Sequence, residues 1–303
     1  MAVMTQSIKY NSKANYQVRV YDVTYREDQD GSWLARIYQP EGRGPFPALL
    51  DVHGGAWNRG SYTSNESIDK ALAASGLVVA AVALRGAPKY PYPSQVQDVN
   101  YATRWLKLRA HDFNAVAHPL GGLGTSSGGH TIMLSAMRPN DPRYQKLSLP
   151  EAKSFDASFA YIVAAWPVLD GYARYLYAKR IGHAQLTEST EAYFLTEEAM
   201  KEGNPQMILE RGESAILPPV LIVQGSADDN VPLSIPHRFV DAYRNAGGTV
   251  ELELFPGMPH GFARDPGPES DRALTVIRAF VARQLDGVQN EIGAATGTEI
   301  QST

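Results

Sequence analysis

From Phe46 onward the chain is dominated by short, nearly continuous apolar runs separated by longer stretches with helical spacing. Runs of this kind suit strands buried on both faces of a parallel sheet. Residues 48–52, 77–84, 116–123, 159–164 and 220–223 are the candidates in chain order. A last one, 250–255, alternates: Val250, Leu252 and Leu254 fall on one face and Glu251 and Glu253 on the other, which predicts a half-exposed sheet edge. Residues 16–25 and 33–38 mix β-branched and aromatic residues with polar ones around Asp30-Gly31, which predicts an opening antiparallel hairpin at the other edge. Between the strands, Val96, Val99, Ala102, Trp105 and Leu106 form one helical stripe with Ser94 as its expected N-cap. Leu274, Ile277, Val281 and Leu285 mark a final helix expected to stop before Gly287.

Strand and helix alternating this regularly predict a mostly parallel sheet of about eight strands with helices on both faces. The expected organisation is one domain over residues 16–288, with flexible tails at 1–15 and 289–303. Residues 170–218 break the alternation. They are rich in Tyr, Arg, Glu and Gly, contain weakly periodic helical pieces such as 197–201, and lie between two buried strands. An insertion over the strand ends is the expected reading, placed where open α/β sheets bind ligands and able to form a lid or pocket wall.

Composition narrows the function classes. The 303 residues carry 28 basic and 32 acidic side chains in no long blocks, a pattern that argues against a nucleic-acid partner. There is no cysteine, so disulfide and thiolate chemistry are excluded. No apolar run approaches the roughly 18 residues of a membrane span. The first 16 residues lack the basic and apolar regions of a secretory signal, so a cytoplasmic protein is expected, with no membrane partner.

Four segments carry chemistry. Gly124-Thr125-Ser126-Ser127-Gly128 follows an apolar strand and precedes a helix-compatible run. That is the pattern of a nucleophile elbow, and the flanking glycines select Ser126 over Ser127 as nucleophile. His53-Gly54-Gly55-Ala56-Trp57 ends an earlier strand, and its paired glycines free backbone N–H groups to meet the negative charge of acyl transfer. Gly54, Gly55 and the Ser127 N–H are the expected oxyanion donors. A serine also needs a base and an orienting acid. Asp228, just past the 220–223 strand, and His260, in Gly257-Met258-Pro259-His260-Gly261-Phe262 after the final strand, complete the order Ser, Asp, His; Asp229 is the rival acid. His53 is expected to support the oxyanion loop and His130 to start a helix. His111, His118, His183 and His237 show no paired metal spacing, so neither metal nor cofactor is expected.

Together these motifs resemble the hormone-sensitive-lipase-like branch of the α/β-hydrolases and its neighbours, the feruloyl and acetyl-xylan esterase-like and kynurenine-formamidase-like families. His53-Gly54-Gly55 is similar to their oxyanion motif, and Ser126-Ser127-Gly128-Gly129-His130 to their elbow. Arg85-Gly86-Ala87-Pro88 with Pro93, Asp98 and Trp105 looks like the block after the next strand; Asp228 with Val231-Pro232 looks like the acid loop, and His260-Gly261-Phe262 like the histidine loop. The likeness spans about residues 33–285. Ala56 stands where the lipase-like motif has a third glycine, and Ser127 where alanine is common. Residues 1–16 look too short and polar for the N-terminal helical cap of that branch, so any lid is expected to come mainly from the 170–218 insertion.

The resemblance implies an α/β-hydrolase fold and a serine hydrolase, without cofactor, that cleaves small carboxylic esters through an acyl-enzyme. An amidase or formamidase with the same triad is the nearest alternative, and a non-catalytic binding protein on the same fold a more distant one. Dimers are common among such families, which leaves a homodimer open. Trp57, Trp166 and Tyr172 follow strand ends and are the expected pocket aromatics, suited to an aromatic or short acyl group.

Overall fold

The computed structural model describes residues 10–299. One eight-stranded sheet organises them. Strands β1 (Val18–Asp28) and β2 (Gly31–Pro40) form the antiparallel hairpin, β2 pairs antiparallel with β4 (Val78–Val82), and the rest is parallel: β3 (Phe46–Val52), β5 (Ala115–Thr125), β6 (Tyr161–Ala165), β7 (Val220–Gly225) and β8 (Val250–Phe255). Their spatial order is β1-β2-β4-β3-β5-β6-β7-β8, so the hairpin and the alternating strand occupy the two edges as their patterns predict. The chain leaves β3 for β4 on one side and later returns to place β5 on the other. Such a reversal opens a crevice beyond the carboxyl ends of the two strands, where open α/β sheets hold ligands.

The period-2 pattern of the strands divides the core into two layers. Ala48, Leu50 and Val52 face one layer, together with residues from α2 (Ser94–Arg109), α3 (Ser127–Met137) and α8 (Ser234–Asn245). Leu49, Val79 and Ala81 face the other, against α1 (Glu66–Ala74) and α9 (Pro268–Glu299). Among the described residues no helix is long and apolar enough to cross a membrane.

Four local expectations change. Ser94 is the first residue of α2 rather than its cap, and its hydroxyl bonds back to the Pro91 carbonyl. That helix is buried all round over residues 94–107 rather than along one stripe. The segment after α3 lies across its polar face, where Gln97, Asn100, Arg104 and Lys107 donate to the carbonyls of Arg143, Pro139, Leu147 and Asp156. Strand β5 is longer than predicted but its pairing jumps: Val116 faces Pro47 and Leu120 faces Ala48. Pro119 has no N–H to give a ladder, so the intervening residues bulge out. Helix α9 continues past Gly287 to Glu299: each helical glycine costs only about 1 kcal/mol, and Gln289, Glu291, Ala294 and Ala295 stand among Gly287, Gly293 and Gly297. Of the expected tails, residues 1–9 and 300–303 lie outside the described residues, and Tyr10 packs on the second core layer with its hydroxyl 3.1 Å from that of Ser75.

The 170–218 insertion folds into α4 (Gly171–Arg180), α5 (Ala184–Phe194), α6 (Glu197–Glu202) and α7 (Pro205–Glu210). Asp170, Thr196 and Asn204 cap α4, α6 and α7 by accepting from the N–H three residues on, which explains why weak periodicity still gives helices. The insertion is fastened over the strand ends by a third apolar cluster in which Tyr175, Tyr193, Phe194 and Met200 surround Trp57.

Candidate active site

Strand β5 ends at Thr125 and α3 starts at Ser127, so Ser126 alone makes the reversal. It has φ 54° and ψ −120°. A serine held in so sparsely populated a region costs about 1–3 kcal/mol. The surroundings fix it there: its N–H donates to the Ala165 carbonyl at 2.9 Å and its carbonyl accepts from Val168 at 3.0 Å. The start of α3 is pressed against the end of β3, and a Cβ on Gly128 would lie 2.1 Å from the Val52 carbonyl oxygen. This is the physical reason for a glycine two residues after the nucleophile.

The segment after β3 turns tightly beside the elbow. Gly55 has φ 124°, and a Cβ there would lie 2.0 Å from the Arg59 carbonyl oxygen. The Gly54 N–H donates to Thr125 Oγ1 at 3.0 Å, so this expected oxyanion donor is already engaged. Among the described residues the N–H groups of Gly55, Ala56 and Ser127 have no acceptor, so the free N–H groups include that of Ala56 and not that of Gly54. Thr125 Oγ1 in turn donates to Asn65 Oδ1 at 3.2 Å, and Asn65 Nδ2 donates to Asp51 Oδ1 at 2.8 Å. A buried chain thus runs from β3 through the residue preceding α1 back to the loop. His53 supports the same loop through Nδ1, which donates to the Gly54 carbonyl at 2.7 Å, and burial lowers its pKa.

Trp57 locks the other end. Its carbonyl accepts from Ala87 N–H at 3.0 Å and Gln95 Nε2 at 2.9 Å; its N–H donates to the Ser127 hydroxyl at 3.3 Å. The serine found in place of alanine after the nucleophile therefore ties elbow to loop. The indole Nε1 donates to His130 Nδ1 at 3.2 Å, and His130 Nε2 donates to the Gly203 carbonyl at 2.7 Å. Burial drives the His130 pKa down to about 4. Asp98, at which Arg85 and Arg26 converge, pins the loop after β4 that carries Ala87.

Asp228 and His260 stand on the loops after β7 and β8. Asp228 is fully buried; its Oδ1 accepts from the N–H groups of Asn230 and Val231 at 2.9 and 2.8 Å, and its Oδ2 from Gln224 Nε2 at 2.8 Å. The same Oδ2 accepts from His260 Nδ1 at 2.8 Å, which leaves Nε2 as the acceptor for the Ser126 hydroxyl at 2.9 Å. Asp229 is exposed. Ser126, Asp228 and His260 are brought together as the sequence predicts.

A cavity of about 480 Å³ opens beside them, lined by Gly54, Gly55, Ala56, Ser126 and His260 together with residues of the insertion. None of the three expected pocket aromatics lines it. Trp57 is stacked on Tyr193 at 5.2 Å with parallel rings; Trp166 is buried edge-on against Phe262 at 5.6 Å; and Tyr172 donates to Glu197 from α4. Position after a strand end told where these residues start but not which way they point. Arg174, His183 and Leu186 of the insertion, with Asn230 and Arg264, line the cavity instead. For Arg264 a signal existed, four residues beyond His260; for Arg174 there was only the arginine-rich character of the insertion. Among the described residues no three potential metal ligands stand together.

Fold and site geometry define an α/β-hydrolase. Residues 36–242 match the BD-FAE family model, and the chain belongs to that family. It is 29% identical over 250 residues to esterase LipC of Mycobacterium tuberculosis, a match covering 78% of this chain and 58% of that protein. With ethyl acetate hydrolase of Pseudomonas putida it shares 28% over 272 residues, covering 85% of this chain and 80% of the other. The chain thus spans little more than half of LipC and, at 54%, of LipM from the same bacterium. Among solved structures, esterase B of Lactobacillus rhamnosis superposes with a TM-score of 0.76 at 20% identity, over 92% of this chain and 90% of that one. The Thermogutta terrifontis esterase Est2 with propionate bound gives 0.68 at 22%, over 89% and 94%.

Proposed function

We propose that the chain is a carboxylic ester hydrolase working through an acyl-enzyme. The observation that carries this reading is the unbroken hydrogen-bond chain Ser126–His260–Asp228, at 2.9 and 2.8 Å, beside three backbone N–H groups with no acceptor among the described residues. The names of LipC and ethyl acetate hydrolase support it. Ser126 Oγ attacks the ester carbon while His260 Nε2 takes its proton. The carbonyl oxygen gains the negative charge, and Gly55, Ala56 and Ser127 donate to it. Asp228 holds the imidazole in the required tautomer and stabilises the imidazolium. His260 returns the proton to the departing alcohol; water, deprotonated in turn by His260, then releases the acid and restores the serine.

Each donor of this kind is typically worth about 2.7–4 kcal/mol to the transition state. The insertion, four of whose residues line the cavity, acts as a pocket wall fixed through Trp57 to the donor loop. The decisive experiment is Ser126→Ala on a p-nitrophenyl butyrate assay. Turnover should fall by about 10⁶-fold with an unchanged circular dichroism spectrum. Activity retained near the wild-type level would overturn the proposal, and a matched amide run alongside reads out the amidase alternative.

A further inference from the structure

The cavity has an unusual charge balance. Arg59, Arg174 and Arg264 line it together with Ser126 and His260, while no Asp or Glu does. Arg174 is 1% exposed, yet among the described residues it has no carboxylate within 4.0 Å. Its Nη1 and Nη2 donate to two neutral acceptors, Asn230 Oδ1 at 3.1 Å and Thr190 Oγ1 at 3.2 Å, and its Nε has no partner. The plane lies over the Trp57 ring at 5.3 Å. Arg26, buried to a similar degree, holds Asp98 and Asp28. Arg264 repeats the anomaly: its Nε is buried without a partner, and its guanidinium lies over the Trp166 ring at 5.9 Å. Burial lowers the pKa of both, that of Arg174 to about 10.

Burying a cation without a counter-ion is costly, and a guanidinium recovers the loss best by gripping a carboxylate with two parallel N–H bonds. Asp228 is the carboxylate whose field reaches Arg174, but its oxygens already serve His260, Gln224, Asn230 and Val231. Asp265, next in the chain to Arg264, is the carboxylate whose field reaches that arginine, but it does not line the cavity, so no free carboxylate faces the three arginines there. We propose that the substrate is an ester that itself carries a carboxylate, bound by Arg174 and Arg264 with Arg59 at the exposed rim. This rests on the ester-hydrolase reading above and adds the substrate class. The carboxylate can lie on the acyl side, as in a half-ester of a dicarboxylic acid, or on the alcohol side, as in an ester of a hydroxy acid.

Two isosteric pairs separate these sources. On the acyl side monoethyl glutarate is compared with ethyl 5-methylhexanoate; on the alcohol side 4-carboxyphenyl butyrate is compared with 4-isopropylphenyl butyrate. The expected result is a kcat/KM for the charged member at least tenfold above its neutral match in one pair, and that pair locates the carboxylate. Arg264→Gln and Arg174→Gln should each pull this ratio toward one, and comparing ratios between variant and wild type cancels leaving-group differences. Because Arg174 is buried and its variant can fail to fold, Arg264→Gln carries the test if circular dichroism shows Arg174→Gln unfolded. Ratios at or below one in both pairs, with the neutral esters still hydrolysed, overturn this proposal and leave the esterase reading standing. A wild-type preference unchanged in the folded arginine variants also overturns the assignment. Failure to hydrolyse any of the four esters removes both readings.

Discussion

His130 predicts a specific acid sensitivity. It sits fully buried on α3, accepts from the Trp57 indole and donates to the Gly203 carbonyl. Burial depresses its folded pKa from 6.5 to about 4. A group with a lowered folded pKa contributes stability that is present above its unfolded pKa and is lost as pH falls through the folded one. At about 1.4 kcal/mol per unit, the full contribution is about 3 kcal/mol, of which about 2 kcal/mol should be gone at pH 5. His130→Gln isolates the effect, because its amide oxygen can accept from Trp57 and its amide nitrogen can donate to Gly203, while it cannot take up a proton. Urea unfolding of both proteins, followed by tryptophan fluorescence at pH 7 and pH 5, gives the comparison. Wild type should lose about 2 kcal/mol relative to the variant over this interval. An identical stability difference at the two pH values would refute the buried neutral imidazole as the source.

Two further outcomes follow from the buried chain beneath the donor loop. Thr125→Val leaves the Gly54 N–H without its acceptor and cuts the path to Asn65 and Asp51; it should destabilise the fold by about 1–3 kcal/mol and lower kcat about tenfold with less effect on KM. Steady-state kinetics with urea melts check this, and an unchanged kcat would show that the loop keeps its shape without Thr125. Asp69, fully buried beside Asp51, has no hydrogen-bond partner on either carboxylate oxygen among the described residues. Burial, and then repulsion from Asp51, raise its pKa, so the native protein loses stability as pH rises above about 4. Asp69→Asn should be more stable than wild type at pH 8, by a margin that shrinks toward pH 5; a margin constant with pH would sink this account.

Ser126, Asp228 and His260 were legible because each sits on a short loop directly after an apolar run, and the geometry of a parallel sheet gathers such loops at one end. The donor set was less so. Whether the Gly54 N–H is free depends on Thr125, a residue 71 positions later whose hydroxyl direction no local pattern encodes. Trp57, Trp166 and Tyr172 follow strand ends as pocket residues do, but the first two are drawn into aromatic packing by area that outweighs any gain from lining a cavity. The cationic wall was illegible for a related reason: Arg59, Arg174 and Arg264 come from three separated segments and acquire meaning only from the lack of any carboxylate in the cavity lining they share. The β5 bulge shows a local cue overlooked, since Pro119 lay inside the predicted run.

All four tryptophans, Trp33, Trp57, Trp105 and Trp166, precede β7, whereas two of the three residues in the Ser126–His260–Asp228 chain follow it. During refolding, the indoles of Trp33 and Trp105, whose aromatic neighbours all precede β7, can recover their emission while the C-terminal third is still undocked, whereas Trp166 must wait for Phe262. Return of catalysis reports a later event, the seating of β7 and β8 on the sheet, and the lag between the two signals times that event without any added label.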